Sequence, residues 1–261
     1  MALARSHFPM HFLLTNDDGV YAPGLAAMCA ALRQIGEVTV VAPATEQSGV
    51  GHSITFLTPL MAKEVFVEPI GRVWAVEGSP ADCVKLALAE LCETPPHMVV
   101  SGINGGLNVG VNVLYSGTVA GATEGALNDL PSLAVSLEYE ERPEFDAAAA
   151  KAVRLIEQLL DQGAWREHLL YNLNFSTRSL TSDQPVQVTS MGVIKWPAMF
   201  EGRRDPKGRR YFWATGNPPQ EPPNSGTDQE VVRQGGCSLT PLVIDRTRQD
   251  LLGKMKAWRL A

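Results

Sequence analysis

Two adjacent carboxylates, Asp17 and Asp18, follow the short apolar run Phe12 to Leu14 within the stretch Thr15-Asn-Asp-Asp-Gly19. An ionised Asp pair held close in low dielectric repels itself unless a proton or a cation intervenes. A divalent cation is the natural partner, and oxygen-only donors suit hard ions such as Mg2+ or Mn2+. The same residues admit another role, in which Asp17 and Asp18 form an Asx-turn or cap the following helix while Gly19 supplies a positive φ. On this stretch alone the two readings stand level.

Further polar, glycine-containing stretches follow later apolar runs. Ala42-Pro-Ala-Thr-Glu-Gln-Ser48-Gly-Val-Gly-His52 comes after Val38 to Val41, and Ser101-Gly-Ile-Asn104-Gly-Gly-Leu-Asn108-Val-Gly110 after Met98 to Val100. Ser48 and Asn104 are oxygen donors of the kind Asp17 and Asp18 would need to complete a cation site. Asn108 and Asn112 suit either ligand contact or a turn, since Asn tolerates left-handed backbone. His52 has the chemistry to protonate a leaving group, although a loop histidine more often serves as a hydrogen-bonded support, the role expected of it here. Ser116, Gly117 and Thr118 open a helix of small residues, where backbone N–H groups and hydroxyls can hold phosphate without cationic side chains. The plainer alternative is a capped helix packed tightly on a sheet.

The elements that must position these residues read as α/β. Leu25 to Ile35 has helical spacing between the first two strands, a βαβ unit whose parallel pairing brings both strand ends to one sheet edge. Ile54 to Leu57, Val65 to Val67 and Val73 to Val76 read as short edge strands. Helices are expected over Ala81 to Leu91 and Asp146 to Leu160, and strands over Ser132 to Leu137 and Leu169 to Phe175. Asp82 is expected to complement the dipole of its helix. Ligands of such open sheets lie outside the carboxyl ends of the strands, where connections diverge. The expected fold is therefore a Rossmann-like, doubly wound, mostly parallel sheet.

Residues 1–180 read as the catalytic core and 181–261 as a C-terminal segment. Within the latter, Val186 to Val193 alternates like an exposed strand and Met199 to Ala214 reads as a long β-hairpin. Asn217 to Asp228 reads as a Pro-rich loop, Leu239 to Ile244 as a strand, and Asp250 to Leu260 as a tail helix. The hairpin suits a subunit-contact arm, a rim over the site or a solvated edge.

A net charge of −6 argues against a nucleic acid polymer as partner, since a polyanion needs a basic face. The hairpin stretch from Glu201 to Arg210 is locally basic, with Arg203, Arg204, Lys207, Arg209 and Arg210 against Glu201 and Asp205. Cys29, Cys83, Cys92 and Cys237 show neither CxxC nor zinc spacing, which suits a reduced, cytoplasmic protein. Met1 to Met10 lacks the apolar core of a signal peptide, and no later run approaches a membrane span.

Taken together, the motifs resemble the survival-protein E (SurE) family of nucleotidases. The matching stretches are Leu13 to Gly19, Ala42 to Ser48 with Gly51 to Thr55, Gly78 to Leu86, Val100 to Gly110 and Ser116 to Gly121; Gly226 to Asp228 and Ser238 to Leu242 also fit. The resemblance implies that Asp17, Asp18, Ser48 and Asn104 bind one divalent metal per subunit, Mn2+, Mg2+ or similar. It implies further that Asn108, Ser116, Gly117 and Thr118 line the phosphate pocket. The implied activity is hydrolysis of nucleoside 5′- and 3′-monophosphates, with some members also trimming short polyphosphate. Homodimers or homotetramers that exchange the hairpin arm are implied as well. Gly105 departs from the basic or polar residue many relatives carry there, which bears on substrate preference and on no expected ligand.

The mechanism this suggests is attack by water, with Asp17 or Asp18 accepting its proton and the Ser116 to Thr118 donors facing the phosphoryl oxygens. A non-hydrolysing nucleotide sensor is the rival from another class, yet the first strand leads into Thr-Asn-Asp-Asp-Gly instead of G-x-G-x-x-G. An aspartate-nucleophile phosphatase would need Asp-x-Asp, and the two aspartates are adjacent.

Overall fold

The computed structural model describes residues 10–194, 199–215 and 223–258. The stretch Met1 to Met10 (but for Met10), the first part of the Pro-rich loop and the end of the expected tail helix at Leu260 lie outside the described residues.

The first half of the chain builds the site-bearing sheet. It runs β1 (Met10–Thr15), α1 (Pro23–Leu32), β2 (Gly36–Pro43), β3 (Ala62–Val67), β4 (Gly71–Val76), α2 (Pro80–Leu86), β5 (Met98–Gly105), α3 (Gly117–Leu127) and β6 (Ser132–Leu137). The rest runs α4 (Phe145–Asp161), α5 (Ala164–Glu167), β7 (Leu170–Phe175), α6 (Thr177–Thr181), β8 (Gln187–Val188), β9 (Met199–Arg204), β10 (Arg210–Thr215), α7 (Asp228–Arg233), β11 (Cys237–Pro241) and α8 (Gln249–Lys256).

Nine strands form one sheet in the order β3-β4-β2-β1-β5-β6-β7-β11-β8. β4, β2, β1, β5, β6 and β7 are mutually parallel, while β3 and β11 run against their neighbours β4 and β7. The chain leaves β1 toward β2 on one side and later arrives in β5 on the other. The loops after β1 and β5 therefore diverge at a topological switch point, the place where open α/β sheets bind ligands.

Strand alternation decides which helices cover which face. Phe12 and Leu14 point into the core shared with Leu25 and Met28 of α1 and Ile156 of α4. Leu13, one residue out of phase, packs with Cys83 and Val84 of α2 on the opposite face. α3 lies against α2 on that second face and needs small residues to do so. A Cβ added at Gly125 would stand 2.5 Å from Ser132 Oγ and 2.6 Å from Val99 Cγ2, closer than side chains pack.

The expected doubly wound sheet and C-terminal hairpin are both present, the hairpin as the antiparallel pair β9 and β10. Three local expectations are corrected. Ile54 to Leu57 is not a strand: the Thr55 amide and hydroxyl donate to Asp82 at 2.8 and 2.7 Å, which ties this backbone to the start of α2 instead of to a ladder. The helix after Pro80 is α-helical only to Leu86, and its last turn widens so that Cys92 N–H reaches the Ala87 carbonyl. Val186 to Val193 supplies only the two-residue β8: beyond it the Ser190 amide turns to the Gly226 carbonyl at 3.1 Å and the Gly192 amide to Asp228 at 2.8 Å. β8 and β11 join the same sheet as the N-terminal strands. Among the described residues no helix is long and apolar enough to cross a membrane.

Gly125→Ala gains about 1 kcal/mol of helix propensity but overpacks a filled interface at a cost of about 1–3 kcal/mol. A net loss of stability is expected in urea unfolding, the reverse of what an exposed Gly→Ala in a helix would show.

Candidate active site

The first loop owes its shape to Asn16, not to the aspartates after it. The Asn16 side-chain amide donates to the Gly19 carbonyl at 3.0 Å and its Oδ1 accepts the Gly19 N–H at 3.2 Å, while Gly19 takes φ +97. α1 begins at Pro23 behind Ala22, with no side-chain cap. Asp17 and Asp18 thus neither build the turn nor cap the helix, and their carboxylates are left for other work.

Asp17 is 4% exposed. Burial pushes its carboxyl above the ordinary range, against the opposing pull of the Thr118 hydroxyl and the backbone N–H groups of Thr118, Gly117 and Asp17 itself. The Thr118 hydroxyl donates to Asp17 Oδ1 at 2.5 Å. A Cβ on Gly117 would come within 2.8 Å of Asp17 Cβ and 3.0 Å of its Oδ2, so the bare backbone at the start of α3 is what allows this approach. Asp18 is pushed up to about 6, first by burial and then by the charge of Asp17, with Glu46 adding to the rise and the Gly105 amide opposing it. Among the described residues no Lys or Arg side chain offsets either carboxylate.

Main-chain hydrogen bonds draw the other loops to this corner. Gln47 N–H donates to the Asp17 carbonyl at 2.7 Å, Val20 N–H to Pro43 at 2.9 Å, and Gly105 N–H to Asp18 Oδ2 at 3.3 Å. The loops after β1, β2 and β5 and the start of α3 are thereby joined around Asp17 and Asp18. Ser48 donates its hydroxyl to Glu46 Oε1 at 2.6 Å, leaving its oxygen lone pairs for a ligand. The Asn104 side-chain amide donates to the Gly106 carbonyl at 2.7 Å. That bond fixes which end of the side chain is the oxygen, the end a cation would take.

Two carboxylates, a hydroxyl and an amide oxygen form a hard-donor set of the kind Mg2+ or Mn2+ prefers. Among the described residues no three His, Cys, Asp or Glu side chains cluster as a metal site, so any ion here would depend on neutral oxygens for half of this set. The uncompensated pair of raised carboxyls fits such an ion.

The phosphate candidates are placed less uniformly. Ser116 caps α3, its hydroxyl oxygen accepting the Val119 N–H at 3.1 Å, and its side chain reaches the wall of a cavity of about 550 Å3. Gly117 and Thr118 are buried, with Thr118 committed to Asp17. Asn108 is held in an amide network: its N–H donates to Asn174 Oδ1 at 2.8 Å, its side chain to Ser136 at 2.9 Å, and its carbonyl accepts Asn172 at 2.8 Å.

Several supporting residues went unassigned at the level of sequence. Asn172 and Asn174 sit two apart in buried β7, a period-two signature of amides sharing one face. Asp228, fully buried, accepts the Gly110 and Gly192 amides at 2.8 Å each and anchors the far end of the third loop. Glu124 is the lone acid in a buried Gly/Ala helix, itself a signal, and it accepts His52 Nε2 at 2.8 Å and Lys85 Nζ at 3.3 Å. Burial alone would raise Glu124, but those two partners hold it below its ordinary value.

Residues 12–198 match the family model described as Survival protein SurE. A protein of Rhodopirellula baltica named 5′-nucleotidase SurE is 53% identical over 252 residues, covering 96% of this chain and 99% of its own. One of the same name from Moorella thermoacetica is 42% identical over 250 residues, 95% of this chain and 96% of its own. The crystal structure of SurE protein from Aquifex aeolicus superposes with a TM-score of 0.81 at 35% identity, covering 94% of this chain and 98% of that one.

The raised Asp18 sets a pH dependence in the metal-free protein. Below its ordinary value of 3.8 both folded and unfolded states hold the proton; between there and about 6 the unfolded state releases it first, so stability falls as pH rises, and above about 6 the penalty is complete. Asp18→Asn removes that penalty. Partial solvation reduces the gain to the order of 1 kcal/mol at neutral pH. Urea unfolding of chelator-treated protein should show the gain near neutrality and its disappearance near pH 4; equal effects at both would contradict it.

Proposed function

The chain belongs to the Survival protein SurE family, and we propose that it works as a 5′-nucleotidase that cuts nucleoside monophosphates to nucleoside and phosphate with the help of one divalent cation. The observation carrying this reading is the Asp17–Asp18 pair, buried, raised and without a cationic neighbour among the described residues, set against the N-terminus of α3. The similarity of the two named nucleotidases over nearly the whole chain supports the substrate class. Hydrolysis of 3′-monophosphates and short polyphosphate extends the same chemistry. In this reading the cytoplasm suits the free cysteines.

Asp17, Asp18, Ser48 and Asn104 would hold the cation, Mn2+ or Mg2+, which when bound supplies Lewis-acid charge beside the phosphoryl oxygens. The Thr118 hydroxyl and the first amides of α3 keep Asp17 in place. Asp18, the more exposed of the pair, accepts the proton of the attacking water. Ser116 and the loop held by Asn108 present donors to the equatorial oxygens, where charge builds as the bond to the nucleoside loosens. The residues 181–261, with the exposed aromatic side chains Phe212 and Trp213 on the hairpin, serve oligomerisation as dimer or tetramer in this reading.

Phosphate release from nucleoside 5′-monophosphates should vanish on chelation, return with Mn2+ or Mg2+, and fall at least about 10³-fold in Asp17→Asn, the loss of several kcal/mol of transition-state charge stabilisation. Nucleotide binding with no metal-restored turnover would instead make the chain a sensor. Ser116→Ala should lower kcat by about 10²-fold and stability by about 1 kcal/mol through the lost cap. A drop in stability alone would reduce Ser116 to a structural residue.

A further inference from the structure

We infer that His52 is the general acid that protonates the departing nucleoside oxygen, with Glu124 as the positioning residue that holds its imidazole. The inference rests on the nucleotidase reading and adds the group that the Asp17 corner does not supply. In-line displacement places the attacking and leaving oxygens on opposite sides of phosphorus. The carboxylates serve the attacking side, so a donor for the leaving oxygen must come from elsewhere.

The cavity of about 550 Å3 meets the phosphate corner at Ser116 and is otherwise largely apolar, with Val113, Val119 and Leu242 among its walls. Its size lies within the range of small-molecule sites, and an apolar trough leading away from a phosphate corner suits a base and a sugar face. His52 lines that same trough. A nucleoside bound there carries its ester oxygen between Ser116 and His52.

His52 is held from every side. Gly51 N–H donates to the Tyr115 carbonyl at 2.9 Å, one residue before Ser116. The Ser79 hydroxyl donates to the Ser53 carbonyl at 2.6 Å, and the Thr55 amide and hydroxyl are tied to Asp82. The ring's Nε2 meets Glu124 Oε2 at 2.8 Å, and among the described residues Nδ1 has no hydrogen-bond partner. The charged groups near the ring are Glu124 from α3 and Lys85 of α2 on the other Glu124 oxygen, and Arg246 also lines the cavity. A buried carboxylate on Nε2 fixes the orientation of the ring, and Nδ1 is the nitrogen left to donate when the imidazole carries both protons.

In the step itself, the water oxygen bonds to phosphorus and its proton passes to Asp18. The bond from phosphorus to the ester oxygen breaks with its electron pair on that oxygen, which takes the proton from His52 Nδ1. Solvent then returns a proton to the imidazole and removes one from Asp18.

Leaving-group dependence separates a proton donor from a structural residue. Wild type, His52→Gln and Glu124→Gln are compared, with Mn2+ present, on a nucleoside 5′-monophosphate and on p-nitrophenyl phosphate, whose phenolate departs without a proton. His52→Gln should lower kcat/KM for the nucleotide about 10²–10³-fold while changing the nitrophenyl ester less than about tenfold. Glu124→Gln keeps an oxygen acceptor for Nε2 and should shift the same ratio in the same direction, by about tenfold. An unchanged ratio in both variants overturns the assignment while leaving the nucleotidase reading intact. Failure of the wild type to hydrolyse either ester overturns both.

Discussion

Two negative charges that cannot escape each other organise this molecule. Asp17 and Asp18 follow directly from a strand buried on both faces, so the backbone offers them no route to full solvent. What relief they have comes from dipoles: the first amides of α3, the Thr118 hydroxyl and the Gly105 N–H. Dipoles reduce such a cost without cancelling it, and both carboxyls stay raised by burial, Asp18 also by the charge of Asp17. The sheet order, the small residues of α3 and the hydrogen bonds among the three loops all serve to bring those dipoles within reach while keeping one side open.

The architecture was largely legible in the sequence because it rests on short-range signals. Apolar runs of strand length, helical spacing between them and polar loops after each strand sufficed for the parallel sheet and its loop edge. Ile54 to Leu57 failed as a strand because its β-like residues are exposed and its backbone is claimed by Asp82, a contact 27 residues away that periodicity cannot register. Val186 to Val193 failed for a similar reason, with Asp228 taking the Gly192 amide. Local preference decides an element only where no distant side chain bids for the same backbone.

At the candidate site, the oxygen-donor types were visible while their supports were not. Asp17, Asp18, Ser48 and Asn104 stood out as oxygen donors in loops, and the loops do gather around the aspartates. Glu46, Glu124, Asn172 and Asn174 act one contact further out, each meaningful only through what it touches: Ser48, His52 or Asn108. Thr118 shows the converse. As a sequence feature it was a phosphate donor, yet its hydroxyl is spent on Asp17, so the helix start faces the carboxylate as much as any ligand.

The hydrogen bond from the Gly110 amide to Asp228 joins residues 118 apart in the chain. Seen from the ribosome, that separation is a delay. At synthesis rates of about 5–20 residues per second, roughly 6–24 s pass between the addition of Gly110 and that of its partner. Throughout that interval the third loop lacks its distal anchor and the sheet lacks β11. The candidate corner thus gains this anchor only once Asp228 has been added, long after the loops that carry Asp17 and Asn104.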